Sequence, residues 1–297
     1  MSEPVTRYLF VLGTGRCGST LVEEVLARHP DAGFVSNLED RFRLGGLGRR
    51  WNNAAYRMLP ARATRKGGVR FAPSEAYRAL DREVSPILSR PWRDLTAADG
   101  TPWLTARLGQ FFETRARSQR KPVFLHKFTG WPRAGLLACV FPDARFVHVV
   151  RDGRAVANSW LQMGWWEGFN GPDHWQWGPL PPAYEKEWRD SSHSFPMLAG
   201  ILWKLLMDAF ETASAAIPSD HWLEVRYEDV VANPTAAFAA IREFAGLKPD
   251  SRFDAAVAST RFDSGRRDAF RHDLGPAGVG VLTSSLGAHL ESHGYEL

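Results

Sequence analysis

Two rhythms of apolar residues run along this chain. Tyr8-Leu9-Phe10-Val11-Leu12 is a continuous apolar run, the pattern of a strand buried on both faces of a parallel sheet. Leu21, Val22, Val25 and Leu26 follow at helical spacing, which predicts a helix over Ser19 to His29 that ends before Pro30. Gly33 to Ser36 predicts a short second strand leading into Asn37-Leu38-Glu39-Asp40. From 41 to about 100 the pattern weakens into prolines, arginines and short helical pieces, a variable region expected to pack over one face. Trp103, Leu104, Leu108, Phe111 and Phe112 restore a helical stripe. Val123-Phe124-Leu125 predicts a strand delivering His126 and Lys127 at its C-terminal end. A short helix over Leu136 to Phe141 precedes the buried strand Arg145 to Val150, which ends in Arg151. A long helix over Met197 to Ala216, a last strand over Trp222 to Arg226, and a helix over Thr235 to Ala245 complete the pattern.

Strands alternating with helices predict an α/β fold, a central parallel sheet flanked by helices in a single domain over 1–297. Ligands of such sheets bind outside the carboxyl ends of the strands, where Gly13, Lys127 and Arg151 fall. The first strand, the loop GTGRCGST and the following helix form a P-loop-like unit. Its backbone N–H groups and the helix N-terminus, with roughly half a positive charge, suit a phosphate or a sulfate.

Composition narrows the partners. With 44% hydrophobic and 24% charged residues in a chain of 297, disordered and fibrous classes drop out. A net charge of +4 is only mildly basic, and the cations are interspersed with acids; the small cluster Arg41, Arg43, Arg49 and Arg50 reads as solvated surface. No nucleic-acid partner is expected, while small polyanions suit the charge. Cys17 and Cys139 make neither a disulfide framework nor a metal pair, and no run approaches the ~18 apolar residues of a membrane helix. A cytoplasmic protein without an integral membrane segment is expected. The segment GWWEGFNGPDHWQWGPLPP, 164–182, is too irregular for a helix. It is either a lid that stacks on an acceptor, extending to about 190, or packing for the variable region.

The glycine loop fits three templates. Gly13, Gly15 and Gly18 match a dinucleotide fingerprint, with Glu39 about 20 residues on where a ribose acid would sit. Gly13 and Gly18 also match a nucleotide-triphosphate loop, but Ser19 stands where its lysine belongs and Arg151 where a metal-binding acid would be, so that reading loses its metal. A cysteine-based phosphatase would close the loop with an arginine at position 23, which is Glu23. The third template is a sulfate-donor loop carrying its cation at Arg16.

Here a family resemblance becomes specific. YLFVLGTGRCGSTLVEEVLARHP resembles the 5′-phosphosulfate loop of sulfotransferases that use 3′-phosphoadenosine 5′-phosphosulfate (PAPS), especially the tyrosylprotein and bacterial branches, with Arg16 in the cationic position. FPDARFVHVVRDGRAVANSW is similar to the 3′-phosphate segment, which makes Arg151 and Ser159 its grips. LEVRYEDVVANPTAAFAAIREFAGL resembles a third segment that places Tyr227 near the nucleotide, and Ser264-Gly265-Arg266-Arg267 loosely resembles the last 3′-phosphate segment.

The resemblance implies a donor site of Gly15, Arg16, Cys17, Gly18, Ser19, Thr20, Arg151, Ser159, Tyr227 and Arg266. It implies metal-free transfer of a sulfonate to an acceptor hydroxyl, on a small molecule, glycan or lipid, releasing adenosine 3′,5′-bisphosphate. Arg16 and Lys127 would neutralise the developing charge and Glu39 would take the acceptor proton. His126 is the runner-up base. Asp40 is disfavoured, because adjacent residues at a strand end point to opposite sides. Two other functions remain compatible with the loop: a dinucleotide-dependent oxidoreductase using Glu39 on the ribose, and a non-catalytic nucleotide or polyanion-binding module.

Overall fold

A computed structural model describes residues 6–59, 71–262 and 267–297. The continuous apolar runs become β1 (Arg7–Gly13), β3 (Val123–Thr129) and β4 (Arg145–Val150), joined by β2 (Ala32–Phe34) and β5 (Trp222–Arg226) in one sheet of order β2-β3-β1-β4-β5. Every pairing is parallel, with Val11 opposite Lys127 on one side and Val147 on the other. β1 therefore sits at the centre, and the loop after it lies between the ends of β3 and β4.

Alternation along β1 assigns its side chains to two cores. Phe10 and Leu12 pack on one face with residues of α5 (Pro102–Gln119), α7 (Gly153–Leu161), α9 (Phe195–Ala215) and α13 (Ala269–Ser292). Leu9 and Val11 pack on the other with α1 (Ser19–Leu26), Tyr56 of α3 (Gly46–Met58), Val230 of α10 (Tyr227–Ala232), and residues of α11 (Pro234–Phe244) and α12 (Ser251–Ser259). Strand side chains alternate at period 2, so one apolar run serves both layers. The remaining helices are α2 (Asn37–Arg41), α4 (Tyr77–Glu83), α6 (Ala134–Val140) and α8 (Pro182–Asp190).

Two sequence expectations change and one element is added. Asn37 to Asp40 does not extend β2 but opens α2, because the Ser36 hydroxyl accepts the Glu39 N–H and caps a new helix. β3 runs on to Thr129, so His126 and Lys127 lie within the strand. The C-terminal α13 was not foreseen: its segment contains Leu274-Gly275-Pro276, and the helix breaks there, with Gly275 at φ 66°. In the Trp-rich stretch only a single turn, Glu167–Asn170, is helical before α8 begins.

Candidate functional site

A cavity of about 630 Å³ opens at the carboxyl edge of the sheet, between the glycine loop and the start of α4. The loop backbone explains its glycines. Gly15 and Gly18 take φ of 84° and 95°, and a Cβ on Gly18 would meet the Tyr227 ring at 2.2 Å. Arg16 adopts φ 57° without being glycine, a conformation that costs an L-residue about 1–2 kcal/mol. In that conformation its Nε donates to the Ser159 hydroxyl at 2.9 Å.

Arg151, at the end of β4, reaches back to the same loop. Its Nη1 donates to the Arg16 carbonyl at 3.0 Å, and its guanidinium stacks 4.7 Å from the centroid of Tyr227. The neighbouring acids are engaged elsewhere: Asp152 pairs with Arg154 at 2.7 Å, and Glu228 accepts from the Tyr295 hydroxyl at 2.8 Å. Thr14, Gly15, Arg16, Gly18, Ser19 and Thr20 line the cavity with Arg151 and Tyr227. Cys17 does not. Its thiol turns into the core against Gly13, fully buried, so only its backbone can serve a ligand. Arg266 lies outside the described residues.

Lys127 lies beside the loop because β3 pairs directly with β1. Its Nζ donates to Thr20 Oγ1 at 2.7 Å, lies 3.0 Å from Glu75 Oε1, and is 3.8 Å from Glu23 Oε2. Burial alone would lower its pKa, but Glu75 and Glu23 together raise it above the ordinary lysine value, so it stays charged. Glu23, on α1, is buried with neither carboxylate oxygen hydrogen-bonded, and burial pushes its pKa up to about 8 despite Lys127. Burial therefore favours its neutral acid form over the carboxylate.

The three acids and bases read from the sequence fare differently from the cations. Glu39 does not line the cavity. It is 1% exposed, with Oε1 2.7 Å from Arg49 Nε and 2.9 Å from Arg115 Nε, and burial raises its pKa against the pull of both arginines. The strand order explains this: β3 separates β2 from β1, so the end of β2 is two strand spacings, about 10 Å, from the loop. His126 lies under the sheet between Phe112 and Phe128, fully buried, with its pKa pushed down to about 3 by burial and by Lys127 and Arg115. Asp40 accepts the Ala79 N–H at 2.9 Å and anchors α4.

Glu75 takes the place expected for Glu39. It lines the cavity from the turn before α4, where Oε1 also accepts from Thr129 Oγ1 at 3.0 Å. The Tyr77 hydroxyl in turn accepts the Thr129 N–H at 3.2 Å, which ties this turn to the end of β3. The only sequence signal for Glu75 was an acid in the turn Pro73-Ser74-Glu75 before a short helix, within a region of weak pattern. The Trp-rich segment divides. Trp166 and Trp175 are buried in the core, whereas Trp165 and Trp177 line the cavity. Among the described residues no group of three or more His, Cys, Asp and Glu could hold a metal, and no helix is long and apolar enough to cross a membrane.

The same fold recurs in solved structures. The sulfotransferase STF9 from Mycobacterium avium superposes with a TM-score of 0.60 at 15% identity, covering 99% of this chain and 78% of that one. The sulfotransferase domain of the curacin biosynthetic pathway gives 0.54 at 14% identity over 99% of both chains. The sulfotransferase domain of the Synechococcus PCC 7002 olefin synthase gives 0.51 at 17% identity, over 100% of this chain and 98% of that one. These likenesses concern the fold. A search of curated proteins by sequence finds no match. The profile of the sulfotransferase family matches residues 9–251, from β1 through the glycine loop, Lys127, Arg151 and Tyr227 to the start of α12, and this chain belongs to that family.

Proposed function

We propose that the protein transfers the sulfonate of PAPS to an acceptor hydroxyl. The observation that carries this reading is the convergence on one cavity of the loop, Arg16, Arg151 stacked on Tyr227, and Glu75, with Ser159 bonded to Arg16 and Lys127 bonded to Thr20 and Glu75 just behind the cavity wall. Loop amides at the start of α1 would hold the 5′-phosphosulfate. Arg151 and Ser159 would grip the 3′-phosphate; the Ser159 hydroxyl accepts from Arg16 and keeps its own proton to donate.

In the transfer, the acceptor oxygen forms a bond to sulfur on the side opposite the departing 5′-phosphate oxygen. That S–O bond breaks with its electron pair going to adenosine 3′,5′-bisphosphate. Arg16 and Lys127 would stabilise charge on the departing oxygen and on the sulfonate oxygens. We assign the general base to Glu75 in place of Glu39, since Glu75 faces the cavity beside Lys127 while Glu39 is sealed beneath two arginines. A carboxylate is a far weaker base than an alkoxide, so it accepts the acceptor's proton only as the new S–O bond forms.

The oxidoreductase reading needs Glu39 on a ribose, and its ion pairs with Arg49 and Arg115 oppose that. Calorimetry separates the readings. Adenosine 3′,5′-bisphosphate should bind far more tightly than NAD or ATP, and Arg151→Ala should weaken it about tenfold or more, the scale of one charge-assisted contact. Tighter binding of NAD would overturn the donor assignment.

A further inference from the structure

The cavity changes character away from the glycine loop. Beyond Thr129, which holds Glu75, the chain turns through Gly130, and the Trp177 ring covers it so closely that a Cβ there would meet the ring at 2.7 Å. Trp131 stands 6.1 Å from Trp177, centroid to centroid, and the half-exposed Trp165 adds a further aromatic wall. The same cavity is also lined by planar, multiply hydrogen-bonding groups: Arg78 and Asp81 on α4, and Gln176 beside Trp177 in the chain. Among the described residues the aliphatic lining is confined to Leu21, which follows the loop, and Pro91.

This combination selects among acceptor chemistries. A lipid chain or a steroid needs extended aliphatic walls, which this end does not offer. A simple phenol could stack on tryptophan, but its single hydroxyl would use at most one of the polar groups on this wall: Arg78, Gln176 and Asp81, whose carboxylate already accepts from Ser89 Oγ and lies 3.5 Å from Arg90. A sugar ring matches both features. Its C–H faces stack on indole, and its ring of hydroxyls supplies donors and acceptors to the carboxylate, amide and guanidinium.

We propose that the acceptor is a saccharide, presenting one hydroxyl to Glu75 while its ring packs on Trp177 and Trp131 and its other hydroxyls meet Asp81, Arg78 and Gln176. This rests on the sulfonate-transfer reading of the same site. The saccharide oxygen bonds to sulfur, its proton passes to Glu75, and the nucleotide leaves with the electron pair of the broken S–O bond. The product is a sugar O-sulfate.

The test supplies ³⁵S-labelled PAPS and an extract of the cells that make the protein, separated into glycans and free sugars, lipids, peptides and small phenols. Label is expected in the saccharide fraction and should appear as a sulfated saccharide by negative-ion mass spectrometry without acid treatment. Trp177→Ala should lower that labelling tenfold or more with adenosine 3′,5′-bisphosphate affinity within about twofold of wild type. Because an indole lost from the wall can disturb folding, Asp81→Asn provides an independent check: it should raise the KM for the saccharide and leave nucleotide affinity alone. Label in the lipid, peptide or phenol fraction overturns the assignment, as does full saccharide labelling by both variants. Label in no fraction, with nucleotide binding intact, refutes the transfer reading itself, and the saccharide assignment falls with it.

Discussion

Glu75 and Glu39 are each paired with a cation, and replacing each by glutamine separates a reacting carboxylate from a structural one. In Glu75→Gln the amide oxygen can keep the two 3.0 Å contacts, to Lys127 Nζ and Thr129 Oγ1, while basicity is lost. A positioned general base contributes about 10²–10⁴ in rate, so kcat should fall by that factor. Nucleotide affinity should stay within a few-fold, because one negative charge is removed beside an anion and no grip on it is lost. Glu39→Gln does the opposite. It removes the negative charge that offsets two arginines, at 2.7 and 2.9 Å, in a side chain 1% exposed. Breaking a buried pair typically costs about 3–5 kcal/mol, which at about 2 °C per kcal/mol for a chain of this size lowers Tm by about 6–10 °C. The folded fraction of Glu39→Gln should keep its kcat. Steady-state kinetics, calorimetry and a thermal melt on both variants suffice. Full activity in Glu75→Gln, or a loss of kcat in Glu39→Gln with Tm unchanged, would refute the assignment.

Arg16→Ala and Lys127→Ala should each lower kcat more than they weaken nucleotide binding; if both only raised the KM for PAPS, these cations would be ground-state grips and not transition-state stabilisers. Glu23, whose pKa is raised from 4.5 to about 8, binds a proton more tightly folded than unfolded, so it favours the folded state below about pH 4.5 and loses that contribution as pH rises through about 8. Glu23→Gln should therefore have a flatter Tm-against-pH curve over this window and a higher relative Tm at pH 9; parallel curves would contradict the buried neutral acid. Gly18→Ala forces a Cβ into the Tyr227 ring at a φ of 95°, and calorimetry should show nucleotide affinity lost together with a lower Tm.

The cations of the site were legible because each sits at a point that sequence pattern fixes. Arg151 ends an apolar run, Lys127 follows one, and Arg16 lies inside a glycine loop between a strand and a helix. The acid was not legible in the same way. Glu39 adjoins Asp40 after a short strand and Glu75 lies in a turn before a short helix, and nothing within either stretch says which one faces the loop. The Trp-rich segment shows the same limit: Trp165 and Trp166 are adjacent, yet one lines the cavity and the other is core.

What the sequence alone determined was local: which residues form buried strands, where the glycine loop stands between a strand and a helix, and that Arg151 directly follows a buried strand. These follow from side-chain periodicity and from the backbone freedom of glycine, both properties of a few neighbouring residues. Tertiary structure alone decided the order β2-β3-β1-β4-β5. By placing β3 between β2 and β1, that order draws Lys127 to the loop and removes Glu39 from it, and the packing of α4 against the end of β3 supplies Glu75 instead. Strand order depends on pairing between segments more than a hundred residues apart, such as Val11 with Lys127, and no local pattern encodes which distant partner a strand will take.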